Sequence, residues 1–423
     1  MHLYQKRAIL DGAETELFKL LSYGATPEQW ADWLRAPLEH AAARGNLDLV
    51  NRLLEAGASG RAGWRGCRGR TLLDAAAVGG NPDVSALLRA GCRPDVNVVS
   101  VSSRRSALHV AVTCGHDAVA KTLIAAGVDV DLIDPHVGVG PLHIAARWGH
   151  EQLVRDLLIG EASPDARDKQ ECTPLHVAAR FGRENIVSAL LVPNGTDKDA
   201  VDIIGCTPLM IACEEGHLST TRTLLTAGAD TALRDMMDLS ALDTAASRGH
   251  ISIMAALLEP RVNVNAADSF DCTALHAAAM YDQVPAVEML IDAGFPVDAK
   301  SQFGTTPLAE AARHGSAKSM LALLRRGAKV DEPDYEQQTP LHGVFYMIPW
   351  NRAAAACADL LLRGGASETA VDRYGHTPAD HLRPNKFTLF SADEKERVQV
   401  LLARAPADRA WRRRCWLVML RSR

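Results

Sequence analysis

The apolar residues of this chain recur in blocks of 33 to 35 positions, each with the same internal order. The block that starts Thr173-Pro174-Leu175-His176-Val177-Ala178-Ala179 has one counterpart at Gly140–Ala146 and another at Thr207–Cys213. We call this seven-residue segment at the start of a block the box. Further copies of the box start at Ala36, Thr71, Ser106, Ser240, Thr273, Thr306 and Thr339, and a half-copy starts at Thr377. A fixed period of this length indicates a repeat architecture, in which each block is one supersecondary unit.

Each block predicts two short helices and a turn. Thr173 is a good N-cap, and Pro174 suits the first helical position. Leu and the paired Ala form one narrow apolar face, and a Gly ends this first helix. Leu153 and Leu157, one helical turn apart, then mark the second helix of their block. A segment such as Ala227–Asp230 ends the second helix with a Gly in the left-handed backbone conformation. A short turn-rich segment then leads into the next box.

The box and the period resemble the ankyrin repeat family, whose 33-residue unit carries T-P-L-H-x-A. The resemblance covers residues 36–382. It implies an all-α solenoid, a curved stack of helix-turn-helix units joined by short β-hairpin fingers. It also implies a non-catalytic scaffold or adaptor that binds a protein partner on the concave face and the hairpin tips.

Three regions follow from the repeat pattern. Residues 1–35 are predicted to form an N-terminal helical cap. Residues 36–392 form the array, with boxes near 36, 71, 106, 140, 173, 207, 240, 273, 306 and 339 and a half-repeat at 377. Residues 393–423 are predicted to be C-terminal helices with a basic amphipathic tail. Because a single repeat cannot bury its own apolar faces, the two ends of such an array need polar caps.

Composition agrees with thin, closely stacked helices: 47% of the residues are apolar and only 5% are aromatic. The nine cysteines are scattered without CxxC pairs, which favours an intracellular setting, cytoplasmic or nuclear. No stretch of 18 apolar residues predicts a membrane span. The net charge of −5 is unevenly spread, since residues 404–423 hold seven Arg against Asp408 alone.

The histidines and cysteines of the repeats predict structure rather than chemistry. Nine of the fifteen His recur at two fixed positions of the block, which indicates hydrogen bonding within and between repeats. Cys172 and Cys206 belong to successive repeats, about 10 Å apart, which is too far for a shared zinc ion. The sequence therefore predicts no catalytic residue, no cofactor and no metal site.

At two rows of positions the stacking of repeats does not restrict the side chain, and these rows are the candidate partner-binding surface. One row follows the paired Ala of each box, and the other lies at the hairpin tips. Large apolar or Arg side chains on exposed rows are typical interface anchors. The candidates are Arg147, Trp148, Arg180, Phe181, Ile203, Ile204, Met236, Met237, Arg248, Phe270, Met280, Tyr281 and Phe303. The competing interpretation is that these side chains only pad their neighbours along the stack.

An alternative function uses the two basic segments. Residues 61–70 contain four Arg and a Trp, and residues 404–423 could lie on an anionic membrane or contact nucleic acid. The tail could instead fold back as a lid over the last repeat. A steep salt dependence of binding to vesicles or oligonucleotides would favour the alternative. The chain itself is expected to be a monomer with a protein partner of unknown identity.

Overall fold

The computed structural model describes residues 35–55, 71–86, 97–101, 104–192, 195–259, 267–346, 353–382 and 396–405. In these ranges the regular elements are helices, and no strand is present. The chain divides into two compact units, residues 1–203 and 204–423, and each is described by itself.

The first unit consists of pairs of short antiparallel helices. Residues 82–86 are also helical. The other helices are α1 (Arg35–Ala43), α2 (Leu47–Glu55), α3 (Leu72–Gly79), α4 (Ala107–Cys114), α5 (Asp117–Ile124), α6 (Pro141–Trp148), α7 (Glu151–Ile159), α8 (Pro174–Arg180) and α9 (Glu184–Leu191).

The second unit repeats the same pairing and ends in a short 3-10 helix, Pro378–Leu382. Residues 396–405 form a further helix. The pairs are α10 (Pro208–Glu215) with α11 (Leu218–Thr226), α12 (Ala241–Arg248) with α13 (Ile251–Leu257), α14 (Ala274–Met280) with α15 (Val284–Asp292), α16 (Pro307–His314) with α17 (Ala317–Arg325), and α18 (Pro340–Tyr346) with α19 (Ala354–Gly364).

In several pairs the first helix begins and ends as the sequence predicts, whereas α8 and α14 end at Phe181 and Tyr281 instead of at a glycine. Thr173 has an extended backbone at the N-cap, with Pro174 at the first helical position. Gly149 ends α6 with a φ of +85°, and its amide donates to the carbonyl of Ala145. Only a residue without a Cβ adopts this left-handed backbone at no steric cost, and a Cβ at Gly149 would also press on the Arg183 side chain.

The core of each unit lies between consecutive helix pairs. In the first unit the paired alanines of α6 and α8 are fully buried, and so are Leu153 and Leu157 of α7. The first helices lie against each other in sequence order, α4 against α6 and α6 against α8. Alanine at these positions lets neighbouring backbones approach closely, while leucine fills the space between the second helices.

A buried histidine joins each of several boxes to the next repeat. Nδ1 of His109 lies 2.8 Å from the hydroxyl of Ser106 at the helix N-cap. Nε2 of the same ring lies 3.3 Å from the carbonyl of Val139, in the following repeat. Three other boxes place Nε2 equally close to a carbonyl of the next repeat, from His143 to Cys172, from His276 to Thr305 and from His342 to His376.

These links require a neutral imidazole, because Nδ1 accepts from the cap while Nε2 donates to the carbonyl. Burial lowers the pKa of His109 from 6.5 to about 4. Burial also lowers the pKa of His143, His276 and His342. The repeats are therefore stacked through groups that resist protonation.

The fingers between helix pairs are turns, and the expected β-hairpins have no strands in the ranges given above. Several fingers open with a carboxylate, such as Asp168, whose Oδ1 accepts from the amides of Gln170 and Cys172 at 2.8 and 2.9 Å. In one finger the hydroxyl of Ser301 accepts from the amides of Phe303 and Thr305 instead. Neighbouring fingers are joined by single backbone hydrogen bonds. They run from Lys169 to Val137 and from Ile203 to Gln170 in the first unit, and from Met236 to Ile204, Gln302 to Phe270, Tyr335 to Phe303 and Arg373 to Glu336 in the second.

Residues 1–34 of the predicted N-terminal cap (1–35), the basic segment 61–70 and residues 406–423 of the basic tail lie outside the described residues. Helix 396–405 buries Val398, Leu402 and Ala405. None of the helices in the described ranges has the length and apolar character needed to cross a membrane.

We expect the protein to lose stability as the pH falls from 6.5 towards 4. His109 stays neutral in the folded chain, whereas the unfolded chain binds a proton below its ordinary pKa, so acid favours unfolding. The stabilisation is fully present above pH 6.5 and is lost as the pH falls through the folded pKa of about 4. A pKa shift of this size in one histidine changes the free energy of unfolding by about 3 kcal/mol across this pH range. Denaturant unfolding across this pH range measures the effect.

His109→Gln isolates the histidine from the carboxylates that also titrate in acid. Glutamine retains a side chain that can complete a capping box but does not titrate. We expect a less stable protein whose stability changes less steeply with pH between 6.5 and 4. An unchanged slope in His109→Gln would contradict the role assigned to the buried ring.

Candidate functional site

In the first unit the predicted row after the paired alanines is exposed. Trp148, at the end of α6, is 55% exposed, and Phe181 follows the end of α8 at 39%. The guanidinium of Arg147 lies 5.3 Å from the centre of the Phe181 ring, in the next repeat. These three side chains form a continuous cationic and aromatic surface that the buried helix faces do not use.

This row forms one side of a groove of about 670 Å³ in the first unit. The other side consists of finger residues, including Val137, Lys169 and Gln170. The Arg, Lys, Trp and Phe side chains that line it are Arg105, Arg147, Trp148, Lys169, Arg180 and Phe181. The sequence predicts four of these six and Lys169 as a finger residue, but it does not predict Arg105, which precedes its box by one position.

Positive charge dominates the groove, because the lining includes four basic side chains and Asp168 is its acidic residue. Oδ1 of Asp168 is occupied by the finger amides. Arg105 lies 3.4 Å from Asp134, and Lys169 donates to the carbonyl of Pro135 at 2.6 Å. The groove therefore combines exposed aromatic faces with cations, and these groups suit an acidic segment that carries large apolar side chains.

In the second unit the exposed apolar row lies at the finger tips. Met236 is 76% exposed. Met237, the next residue in the chain, and Ile204, in the preceding finger, are also exposed. The rings of Phe270 and Phe303, in successive fingers, stack with centroids 6.2 Å apart. Solvated turns seldom carry several adjacent apolar side chains unless a partner covers them.

The other predicted candidate residues differ in solvent exposure. Ile203, the last residue of the first unit, and Tyr281 are exposed. Arg248 is exposed and forms an ion pair with Glu214 of the preceding repeat. Met280 is half-buried. The stacked phenylalanines and the Arg147–Phe181 contact show that padding between neighbours accounts for part of the row, but all of these side chains except Met280 keep substantial exposure.

Three buried or partly buried thiols are poor nucleophiles. Burial raises the pKa of Cys172 to about 11 and the pKa of Cys272 to about 12. The pKa of Cys213, within α10, is likewise raised to about 12 by burial. Since the thiolate is the reactive form, these cysteines behave as small apolar side chains at neutral pH.

We expect substitutions in the exposed row to leave stability almost unchanged. An exposed cation–aromatic pair contributes about 0.5–1 kcal/mol, so Arg147→Ala and Phe181→Ala should each cost no more than this. Leu175→Ala, at a fully buried position of the same box, should cost about 2–5 kcal/mol. Urea unfolding of the three variants tests the difference. A cost for Phe181→Ala equal to that of Leu175→Ala would identify the row as padding.

Known proteins show the same repeat. A family model described as ankyrin repeats (3 copies) matches residues 38–134, 108–202, 142–235, 186–268 and 242–334. No curated protein matches this chain. The solved human ASB11 ankyrin repeat domain is 28% identical, with a TM-score of 0.48 over 54% of this chain and 99% of that chain.

A second solved structure, the ankyrin repeat domain of Bcl-3, a unique member of the IkappaB protein family, is 30% identical with a TM-score of 0.47. That match covers 52% of this chain and 97% of that chain. Ankyrin repeat domains are generally protein–protein interaction modules and are typically non-catalytic. Because the family matches together extend from residue 38 to residue 334, more than half of the sequence, this chain belongs to the ankyrin repeat family.

Proposed function

We propose that this protein is a non-catalytic scaffold or adaptor that binds a protein partner through the exposed rows of its central repeats. The observation that carries the proposal is the exposure of large apolar side chains, Trp148, Phe181, Met236 and Met237, at positions that stacking does not require. Neighbouring positions of the same boxes are fully buried, so a partner can contact the exposed row without exposing core side chains.

The groove of the first unit supports one kind of partner. Its lining of Arg105, Arg147, Lys169 and Arg180 beside two aromatic rings matches an acidic polypeptide segment with large apolar anchors. Apolar anchors in such a site contribute most of the affinity, whereas the charges increase the association rate and exclude basic sequences.

The proposed surface is tested by the triple substitution Phe181→Glu, Ile204→Glu and Met237→Glu. A buried carboxylate in the interface lacks a partner and carries a large desolvation cost, so the variant should lose its partner in quantitative affinity purification. Because the three positions are exposed, its thermal melt should match that of the unsubstituted protein.

Ile159→Glu is the matched control for that experiment. Ile159 is 81% exposed but lies at the end of the second helix α7, outside both rows. Partners captured by the unsubstituted protein should remain with this variant. A triple variant that retains them would exclude the proposed surface, and loss in both variants would show that the effect is nonspecific.

The charge of the partner is tested separately. Arg147→Gln and Lys169→Gln remove two cations from the groove without introducing a repulsive charge. We expect this double variant to bind fluorescent acidic peptides with apolar anchors more weakly and with a smaller salt dependence than the unsubstituted chain. Equal binding of basic and acidic peptides to the unsubstituted protein would contradict the proposed chemistry.

The alternative function, contact with an anionic membrane or nucleic acid, depends on segments 61–70 and 404–423. Of these, only residues 404 and 405 are among those described. The exposed rows of the two units give a direct basis for protein binding, and no observation in the described ranges favours the alternative.

A further inference from the structure

The last finger of the second unit brings two histidines onto one carboxylate. Asp372 opens the finger, His376 immediately precedes the final box at Thr377, and His381 lies on the 3-10 helix Pro378–Leu382. One ligand atom from each of the three residues can be chosen so that all three atoms lie within 4.8 Å of one another. Imidazole nitrogen and carboxylate oxygen are the donors that zinc and similar transition metals use in proteins.

The two distances from the carboxylate are close to those around a tetrahedral ion. Oδ2 of Asp372 lies 3.1 Å from Nε2 of His381 and 3.6 Å from Nδ1 of His376. Zinc binds such atoms at about 2.0–2.2 Å, so two ligand atoms of one tetrahedron are separated by about 3.3 Å. The observed separations bracket this value. Because the side chain of His376 is 56% exposed, it can rotate to complete the geometry without disturbing the core.

Asp372 is held in place by the finger itself. Its side chain is fully buried, and Oδ1 accepts from the amides of Tyr374 and His376, each at 2.9 Å. This arrangement fixes the carboxylate and directs Oδ2 towards the two imidazoles. A carboxylate oriented by separate hydrogen bonds is typical of metal ligands, whose own partners set their direction.

In two other fingers the equivalent oxygen faces an arginine. Oδ2 of Asp134 faces Arg105 at 3.4 Å, and Oδ2 of Asp334 faces Arg313 at 2.8 Å. At Asp372 the basic groups that approach Oδ2 within the described part of the chain are the two imidazoles. A fixed guanidinium is therefore replaced by two groups that can share a divalent cation with the carboxylate.

A third histidine, His342, supports the site without being a ligand. Its Nδ1 accepts from the Thr339 cap, and its Nε2 lies 3.2 Å from the His376 carbonyl, so both nitrogens are engaged. The His342 ring meets the His381 ring edge-on with centroids 5.7 Å apart. These contacts fix the backbone of one histidine and the ring plane of the other.

We propose that Asp372, His376 and His381 bind one divalent transition-metal ion of the zinc class, with water completing the coordination. The ion connects the last finger to the final box and supplies the positive charge that Arg105 and Arg313 supply in two earlier fingers. This proposal differs from the sequence-based prediction of no metal site and is independent of the proposed binding surface.

Zinc titration of the full chain tests the proposal. The protein is stripped with a chelator, its accessible thiols are alkylated to exclude cysteine binding, and zinc is added in competition with a chromophoric chelator. We expect one zinc ion per chain. His376→Gln, His381→Gln and Asp372→Asn should each weaken binding by about tenfold or more. Zinc should also raise the melting temperature of the unsubstituted protein more than that of these variants.

The variants are chosen to remain folded. His376→Gln alters a largely exposed side chain, and Asp372→Asn retains Oδ1 as an acceptor for the finger amides. His136→Gln is the matched control, because His136 lies two residues after the equivalent finger carboxylate Asp134. The control should bind zinc like the unsubstituted chain.

Cobalt provides a second readout, since a tetrahedral cobalt complex absorbs in the visible range. The band should appear with the unsubstituted chain and disappear in His381→Gln. Absence of zinc binding by the alkylated protein would overturn the proposal. Equal affinity in His381→Gln, His376→Gln and the unsubstituted chain would also overturn it.

Discussion

The structure depends on contact between neighbouring repeats, and the box histidine is its most specific element. One ring accepts at Nδ1 from the N-cap of its own helix and donates from Nε2 to a carbonyl of the next repeat. A single neutral side chain thus satisfies a helix end and joins two units of the stack. Because a single repeat cannot bury its own faces, such bridging bonds and the alanine faces around them stabilise the array only collectively.

Boxes without the histidine make other polar contacts, and only some of these reach the next repeat. In the box at Ser240, Asp243 accepts from the cap, and its second contact is Arg234, 3.4 Å away. In the box at Thr306 the equivalent residue is Ala309, and Arg313 instead reaches Asp334 of the next finger. The final finger uses His376 and His381 around Asp372. The helix pairs therefore repeat the same arrangement along the chain, while the polar groups that join neighbouring repeats differ from one repeat to the next.

This division explains how one chain can be both stable and available for binding. The paired alanines, the leucines and the bridging histidines are buried and account for folding. Neighbouring positions, such as Trp148 and Phe181, remain exposed. Under the proposed function, a partner would contact these side chains while the core stays buried.

The sequence by itself determined the period, the helix pairs, their caps and the exposure of the two rows, because these follow from local pattern and from a repeat that every box shares. Helix α6 illustrates this, with Pro141 at its start and Gly149 at its end. The expected fingers lack strands in the described ranges, since only single backbone bonds join neighbouring tips. The tertiary structure alone decided which side chains meet: the cationic groove from Arg105 to Phe181, the Phe270–Phe303 stack and the cluster at Asp372. These depend on the rotation and rise between repeats and on the direction of each side chain, which are set by packing across repeats and not by the pattern within one.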